Sequence, residues 1–135
     1  MKKRTAGEDE TLGRTRILIV EDEPNIVESL SYILRHADFD VSIAENGLEA
    51  LERLRRAKFS AMILDVMMPG MSGFDVLREV RADRTLSGLP VIVLTAKGQS
   101  RDRQTASEAG ATEFITKPFS NAEIIACMRQ VTGKG

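Results

Sequence analysis

Hydrophobic and polar positions along this chain follow two different periods. Short apolar runs occur at RILIV, DVSIA, SAMIL, LPVIVL and ATEFIT, and they read as five strands. Between them, apolar residues recur at helical spacing: Ile26, Val27, Leu30, Ile33 and Leu34; Leu48, Leu51 and Leu54; Phe74, Leu77 and Val80; and Ile124, Ile125, Met128 and Val131. Each set draws one apolar stripe along a helix. Strands joined by helices of this length require right-handed crossovers and a parallel sheet covered on both faces. The same arrangement explains why the middle strands are apolar throughout instead of alternating. The expected fold is α/β, a single doubly wound five-stranded parallel sheet with five helices.

Local chemistry sets the boundaries. Pro24 suits a first helical turn, Asn46 caps the second helix, Ser72 or Gly73 opens the third, and Gly110 closes the fourth. The fourth helix differs from the others, because Arg101 to Ala109 offers only Ala106 and Ala109 as apolar contacts. Weak packing predicts low local stability and movement there. Residues 1–15 are polar and are expected to form a disordered extension, with one domain over 16–132 and a short tail over 133–135.

Composition narrows the function classes. A chain of 135 residues with net charge -1 and 42% hydrophobic residues fits one domain with a real core. No apolar run approaches the roughly 20 residues of a membrane span, and MKKRTAGEDETLGR lacks the apolar segment of a secretory signal. The expected location is the cytoplasm, without membrane contact. Lone Cys127 excludes an intramolecular disulfide and a cysteine-built metal site; it lies among Ile124, Ile125 and Met128 and reads as packed in a helix. Basic residues are scattered among acids, so no direct nucleic-acid surface is expected. The single histidine, His36, falls in the polar end of the first helix and reads as a surface residue.

In parallel α/β sheets, ligands bind beyond the carboxyl ends of the strands. Here the first strand ends in Glu21 and Asp22, the third in Asp65, the fourth in Thr95, and the fifth in Thr116 and Lys117. Taken singly, each has an ordinary reading. Glu21, Asp22 and Glu23 before Pro24 favour a helix N-terminus, Thr95 can be a cap or loop hydroxyl, and Lys117 can pair with any acid. Together they converge on one pocket. Two unit charges about 4 Å apart repel by roughly 4 kcal/mol at an effective dielectric near 20, so three clustered carboxylates need a proton or a cation. Oxygen-only donors suit Mg²⁺ or Mn²⁺, and such a site points to phosphoryl chemistry. Pro118 after Lys117 is either a strand end or a cis bond that aims the amine.

These residues lie in ILIVEDEP, MILDVMMPGMSGFDVL, VIVLTA and FITKPF, and in that order and spacing the chain resembles the receiver domain of bacterial two-component response regulators over roughly residues 16–131. The resemblance implies a flavodoxin-like sheet of strand order 2-1-3-4-5, a topology that general rules for such sheets already illustrate with a member of this family. It implies that Asp65 accepts a phosphoryl group from a sensor histidine kinase or phosphotransfer protein, in a self-catalysed step and not as an enzyme with turnover. Asp22, Asp65 and the Met67 carbonyl would hold Mg²⁺ directly and Glu21 through water, while Lys117 would pair with Asp65 or its phosphoryl oxygens. Thr95 and Phe114 resemble the family's switch pair, although Phe114 also reads as an ordinary core residue. The Thr95 hydroxyl would follow the phosphoryl group, and the ring would turn into the vacated space, remodelling the face made by the fourth helix, fifth strand and fifth helix.

Met67 and Lys97 occupy positions that tune phosphoryl lifetime in the family. Apolar Met67 cannot orient an attacking water, so slow dephosphorylation is expected. Homodimerisation through the fourth helix, fifth strand and fifth helix would use charged pairs there; the acid pair expected before the switch aromatic is Thr112 and Glu113, and Cys127 stands in place of an arginine, with Arg129 nearby. Output would pass to a downstream protein or to an effector domain of a longer regulator. Three rival classes remain: an Mg²⁺-dependent aspartyl phosphohydrolase, which needs a second acid where Met67 stands; a flavin module, for which EDEPN lacks a phosphate-cradling glycine; and a degenerate receiver acting only through protein contacts, against which the acids, Thr95 and Lys117 are all intact.

Overall fold

The structure, a computed structural model, describes residues 8–9, 14–68, 70–96 and 100–133. Five parallel strands, β2 (Arg14–Val20), β3 (Phe39–Ala44), β4 (Ala61–Asp65), β5 (Val91–Ala96) and β6 (Glu113–Lys117), lie in the order β3-β2-β4-β5-β6. Counting parallel strands alone, this is the expected order 2-1-3-4-5. Five helices connect and cover them: α1 (Pro24–His36), α2 (Gly47–Arg56), α3 (Gly73–Ala82), α4 (Ser100–Ala109) and α5 (Asn121–Thr132).

Side-chain parity along the strands builds two cores. Ile17, Ile19, Ile63, Ile92, Leu94 and Ile115 face α1 and α5, where they meet Leu30, Leu34, Ile124 and Met128. Leu18, Val20, Met62, Leu64, Val91 and Val93 face the opposite side and meet Leu51, Leu54, Val76, Leu77, Val80 and Ala106. Both faces of the sheet are therefore dry, which requires the unbroken apolar runs seen in the sequence.

The caps fall where local chemistry put them. Pro24 is the first residue of α1, Asn46 and Ser72 accept the N–H of Glu49 and Asp75 at 2.9 and 3.3 Å, and Gly110 follows α4 at φ 102°. In α4 the buried residue is Ala106, in keeping with its polar sequence.

Two expectations fail. Leu48 does not belong to the apolar stripe of α2: it is 69% exposed, and the buried positions are Gly47, Ala50, Leu51 and Leu54. At 100° per residue those four positions span one arc whose centre lies about 100° from Leu48, so Leu48 falls outside it. The N-terminal stretch is not wholly without structure either. A two-residue strand, β1 (Glu8–Asp9), pairs antiparallel with Thr15 and Arg14. β4 comes into register with β2 only at Ile17 and Ser60 N–H donates to Arg16 O at 2.8 Å just before it, so β1 pairs with the part of β2 that β4 does not reach. Residues 1–7, 10–13 and 134–135 lie outside the described residues.

Candidate functional site

The carboxyl ends of β2, β4 and β6 bring the polar residues together. After Val20 the chain stays paired for one more residue, the Glu21 N–H donating to Ala44 O at 3.1 Å, and this holds Glu21 over the sheet at 1% exposure. Of the three consecutive acids, Glu23 is the helix cap: its carboxylate accepts the N–H groups of Asn25 and Ile26 at 3.3 and 3.1 Å. Glu23 N–H in turn donates to Glu21 Oε2 at 3.2 Å. That leaves Glu21 and exposed Asp22 for the pocket, where their carboxylate oxygens lie within 4.8 Å of one another and of Asp65.

Asp65 is the last residue of β4 and is 2% exposed. Its Oδ1 accepts from Met67 N–H at 3.1 Å and from Lys117 Nζ at 3.3 Å. Register explains the reach. Asp65 pairs with Leu94 on β5, and Ala96 pairs with Lys117 on β6, so the lysine starts two strands away and its long side chain crosses the top of β5. Asp65 and Lys117 share the strand parity of Ile63 and Ile115, which puts both on the α1 and α5 side. The Lys117–Pro118 peptide bond is cis.

The charge balance is acidic. Lys117 Nζ is also 3.9 Å from Glu21 Oε1, beyond hydrogen-bond distance, and that buried oxygen has no hydrogen-bond partner among the described residues. One ammonium faces three carboxylates. The pKa of Glu21 is pushed up to about 7, chiefly by burial and then by contact with the Asp65 carboxyl and its charge; the Glu23 N–H and Lys117 pull the other way. A cluster of hard oxygen donors in which one acid holds its proton more tightly than usual, with one buried oxygen unsatisfied, has the chemistry of a divalent-cation site.

Thr95 and Phe114 occupy the opposite face. Thr95 shares the parity of Val93, is fully buried, and has no partner for its Oγ1 among the described residues. Phe114 registers with Val93 and packs half-buried against the core beneath α4, with the Arg103 guanidinium 5.4 Å from its ring centre. Thr95 thus meets the acid–lysine group at one end of the sheet from its other face, while Phe114 lies on that same face two residues back along β6 from the position that registers with Thr95.

Of the remaining expected residues, Met67 follows Asp65 with its side chain 66% exposed, and it carries no carboxylate for general acid work. Lys97 lies outside the described residues. Cys127 is half-buried in α5, where burial and Glu113 push its thiol up to about 11, and His36 is exposed, stacked on Tyr32.

Two residues do more than the sequence suggests. Arg81, at the end of α3, donates from Nε to Gly110 O at 2.9 Å, from Nη1 to Ser87 O and Leu89 O at 2.9 and 2.6 Å, and from Nη2 to Thr112 Oγ1 at 3.3 Å. It ties together the loops that enter β5 and β6. Gly73, read only as a helix opener, sits directly on the backbone of Asp65.

Comparison with known proteins places this arrangement. A family model described as the response regulator receiver domain matches residues 17–129. The DNA-binding response regulator MtrA of Mycobacterium tuberculosis is 40% identical over 116 residues, which are 86% of this chain and 50% of that protein. The chain spans about half the length of the curated relatives it matches. Among solved structures, the signal receiver domain of a signal transduction histidine kinase from Syntrophus aciditrophicus superposes with a TM-score of 0.83 at 34% identity, covering 88% of this chain and 90% of that one. The receiver domain of the sensor histidine kinase PA1611 from Pseudomonas aeruginosa, solved with a magnesium ion coordinated in its active site cleft, gives 0.83 at 29% identity, covering 89% and 98%.

Proposed function

The chain belongs to the response regulator receiver domain family, and from that membership we propose that it is a phosphorylation-activated switch whose Asp65 accepts a phosphoryl group from a sensor histidine kinase or phosphotransfer protein. The observation that carries this reading is the setting of Asp65: a buried carboxylate held 3.3 Å from Lys117 inside a cluster of two further acids.

The donor set fits Mg²⁺, or Mn²⁺ in its place. The Asp22 and Asp65 carboxylates and the Met67 carbonyl would hold the ion directly, with Glu21 acting through water. When bound, it supplies positive charge to the oxygens of the phosphoryl group. The chain's own residues do the rest. An Asp65 oxygen attacks phosphorus in line, the bond from phosphorus to the donor breaks, and the donor leaves with that electron pair. Lys117 stays protonated and neutralises charge that builds on the phosphoryl oxygens, so the protein mainly positions and stabilises.

The Thr95 hydroxyl supports the second half of the reading. A buried hydroxyl without a partner costs about 1–3 kcal/mol, and an aspartyl phosphate brings acceptor oxygens that satisfy it. Movement of Thr95 frees space on the side where Phe114 packs. The ring then turns inward, and the face of α4, β6 and α5 changes, with weakly packed α4 as the compliant element. Hydrolysis resets the switch, at a rate set by Met67 and Lys97.

The name of MtrA supports an output through a DNA-binding protein, either an effector domain of a longer regulator or a separate downstream partner. The chain itself is read as making no direct nucleic-acid contact, as lying in the cytoplasm, and as able to pair with a second copy through α4, β6 and α5. Among the described residues no helix is long and apolar enough to cross a membrane.

Incubation with Mg²⁺ and acetyl phosphate tests the reading by intact mass. A labile gain of one phosphoryl group, lost in Asp65→Asn, is the expected result. Steady multiple-turnover phosphate release, or an adduct that persists in Asp65→Asn, overturns it.

A further inference from the structure

We propose that Gly73 is a positioning residue for the cation site: by allowing α3 to rest directly on the backbone of Asp65 and Val66, it fixes the segment that presents the Asp65 carboxylate and the Met67 carbonyl. The inference rests on the cation site proposed above and concerns how its donors are aimed.

The observation is a contact between main chains. A Cβ added at Gly73 would overlap Asp65 O and stand 2.7 Å from Val66 Cα. Both obstacles are backbone, so no side-chain rotation relieves them. Gly73 is buried, and its N–H points at Val66 O at 3.4 Å, so the first turn of α3 and the end of β4 touch at this residue. Ser72 caps the helix through Asp75 N–H and thereby sets where α3 begins. Between the two contacts there is no slack: a larger residue must push α3 away from the sheet or push Asp65 and Val66 away from α3.

The second displacement reaches the site at once. Met67 is the next residue, and its N–H donates to Asp65 Oδ1 at 3.1 Å, so Asp65 to Met67 form one short loop that carries two of the three proposed direct donors. Mg²⁺ demands near-ideal octahedral geometry, which makes small shifts of paired donors expensive in affinity. Outer contacts that orient metal ligands are commonly worth about 10–100-fold in affinity.

Gly47 provides the comparison residue. A Cβ there would stand 2.8 Å from Val76 Cγ2 and 3.1 Å from Met71 Cβ, a milder clash with side chains of α3 and of the loop before it that leaves the backbone of Asp65 to Met67 alone. The two glycines therefore separate loss of packing from loss of aim.

The test is calorimetric titration of the full chain with Mg²⁺ in wild type, Gly73→Ala and Gly47→Ala, with thermal unfolding of each. Gly73→Ala is expected to weaken Mg²⁺ binding roughly tenfold or more, and Gly47→Ala to lower Tm while keeping affinity within about twofold of wild type. If Gly73→Ala is too unstable at room temperature, titration in the cold with a stabilising osmolyte reads the same ratio. Wild-type affinity in Gly73→Ala, or an equal loss in Gly47→Ala, overturns the inference while the cation site stands. A wild-type chain that takes up no Mg²⁺ overturns the cation site and the inference with it.

Discussion

The Lys117 ammonium donates to Asp65 Oδ1 at 3.3 Å across 52 residues of sequence, and the same nitrogen stands 3.9 Å from Glu21 Oε1. Lys117 thus partly balances the acids, and under the proposed function it would face the phosphoryl oxygens after transfer. Lys117→Met separates the two roles. Removing a cation beside a cation site should tighten Mg²⁺ binding, while loss of a charge aimed at the phosphoryl group should slow uptake from acetyl phosphate on the order of 100-fold. Calorimetry and a mass time course read the two effects; a lysine that merely held the fold together would lower both.

Glu21 predicts a pH dependence of unusual sign for an acid. Its pKa rises from 4.5 to about 7 on folding, so between those values the folded state binds more protons than the unfolded one. Stability of the metal-free protein should therefore fall as pH rises from about 4.5 to about 7 and level off above. Mg²⁺ competes with that proton, so its affinity should climb over the upper part of the same range, with proton release on binding. Urea unfolding at a series of pH values without divalent ions checks the slope. Glu21→Gln should flatten it, and an unchanged slope in that variant would assign the effect to another group.

How much of this was written in the sequence depends on whether a feature is periodic or made by contact. Strand parity and helix stripes are periodic, so a parallel sheet covered on both faces was legible from runs such as MILD and VIVLTA, and the weak α4 from the polar stretch of residues 101–109, whereas the strand order was implied by the family resemblance. The site was legible for a related reason: polar residues that interrupt apolar runs at strand ends are conspicuous, and topology forces those ends together. Leu48 misled because a leucine count overlooks small residues: Gly47 and Ala50 complete the buried arc with Leu51 and Leu54, and Leu48 lies off it. Arg81 and Gly73 had no signal of their own. One spends its donors on main-chain carbonyls and a threonine hydroxyl from the loops before β5 and β6, and the other matters for an atom it lacks.

Arg81 carries the third prediction. Its four hydrogen bonds join the end of α3 to Ser87, Leu89, Gly110 and Thr112, and Thr112 Oγ1 also accepts Val91 N–H at 3.0 Å. Arg81→Met keeps most of the aliphatic stem and removes every donor. Water can reach some of the freed carbonyls, so the expected loss is below the sum of the bonds, roughly 2–4 kcal/mol. Arg81→Lys should recover only part of it, because a single ammonium cannot reproduce the planar fork that serves two loops. Urea midpoints for the three chains decide this, and equal midpoints for arginine and lysine would reduce the cluster to simple charge.

Met67 sets the last expectation, on the lifetime of the phosphorylated state. Its side chain is 66% exposed beside Asp65, and its thioether offers an attacking water no hydrogen bond comparable to that of an amide. The neighbouring backbone is committed elsewhere, since Met67 N–H is spent on Asp65 Oδ1. An asparagine at the same position places a donor and an acceptor where water must approach phosphorus, without altering the backbone that carries the proposed carbonyl ligand. Met67→Asn should therefore shorten the half-life of the phosphorylated chain several-fold, on the order of the smaller effects of water-orienting groups, while leaving Mg²⁺ affinity unchanged. Decay of the phosphorylated mass after removal of donor measures it. Equal half-lives in the two chains would mean that water approaches along a path Met67 does not govern.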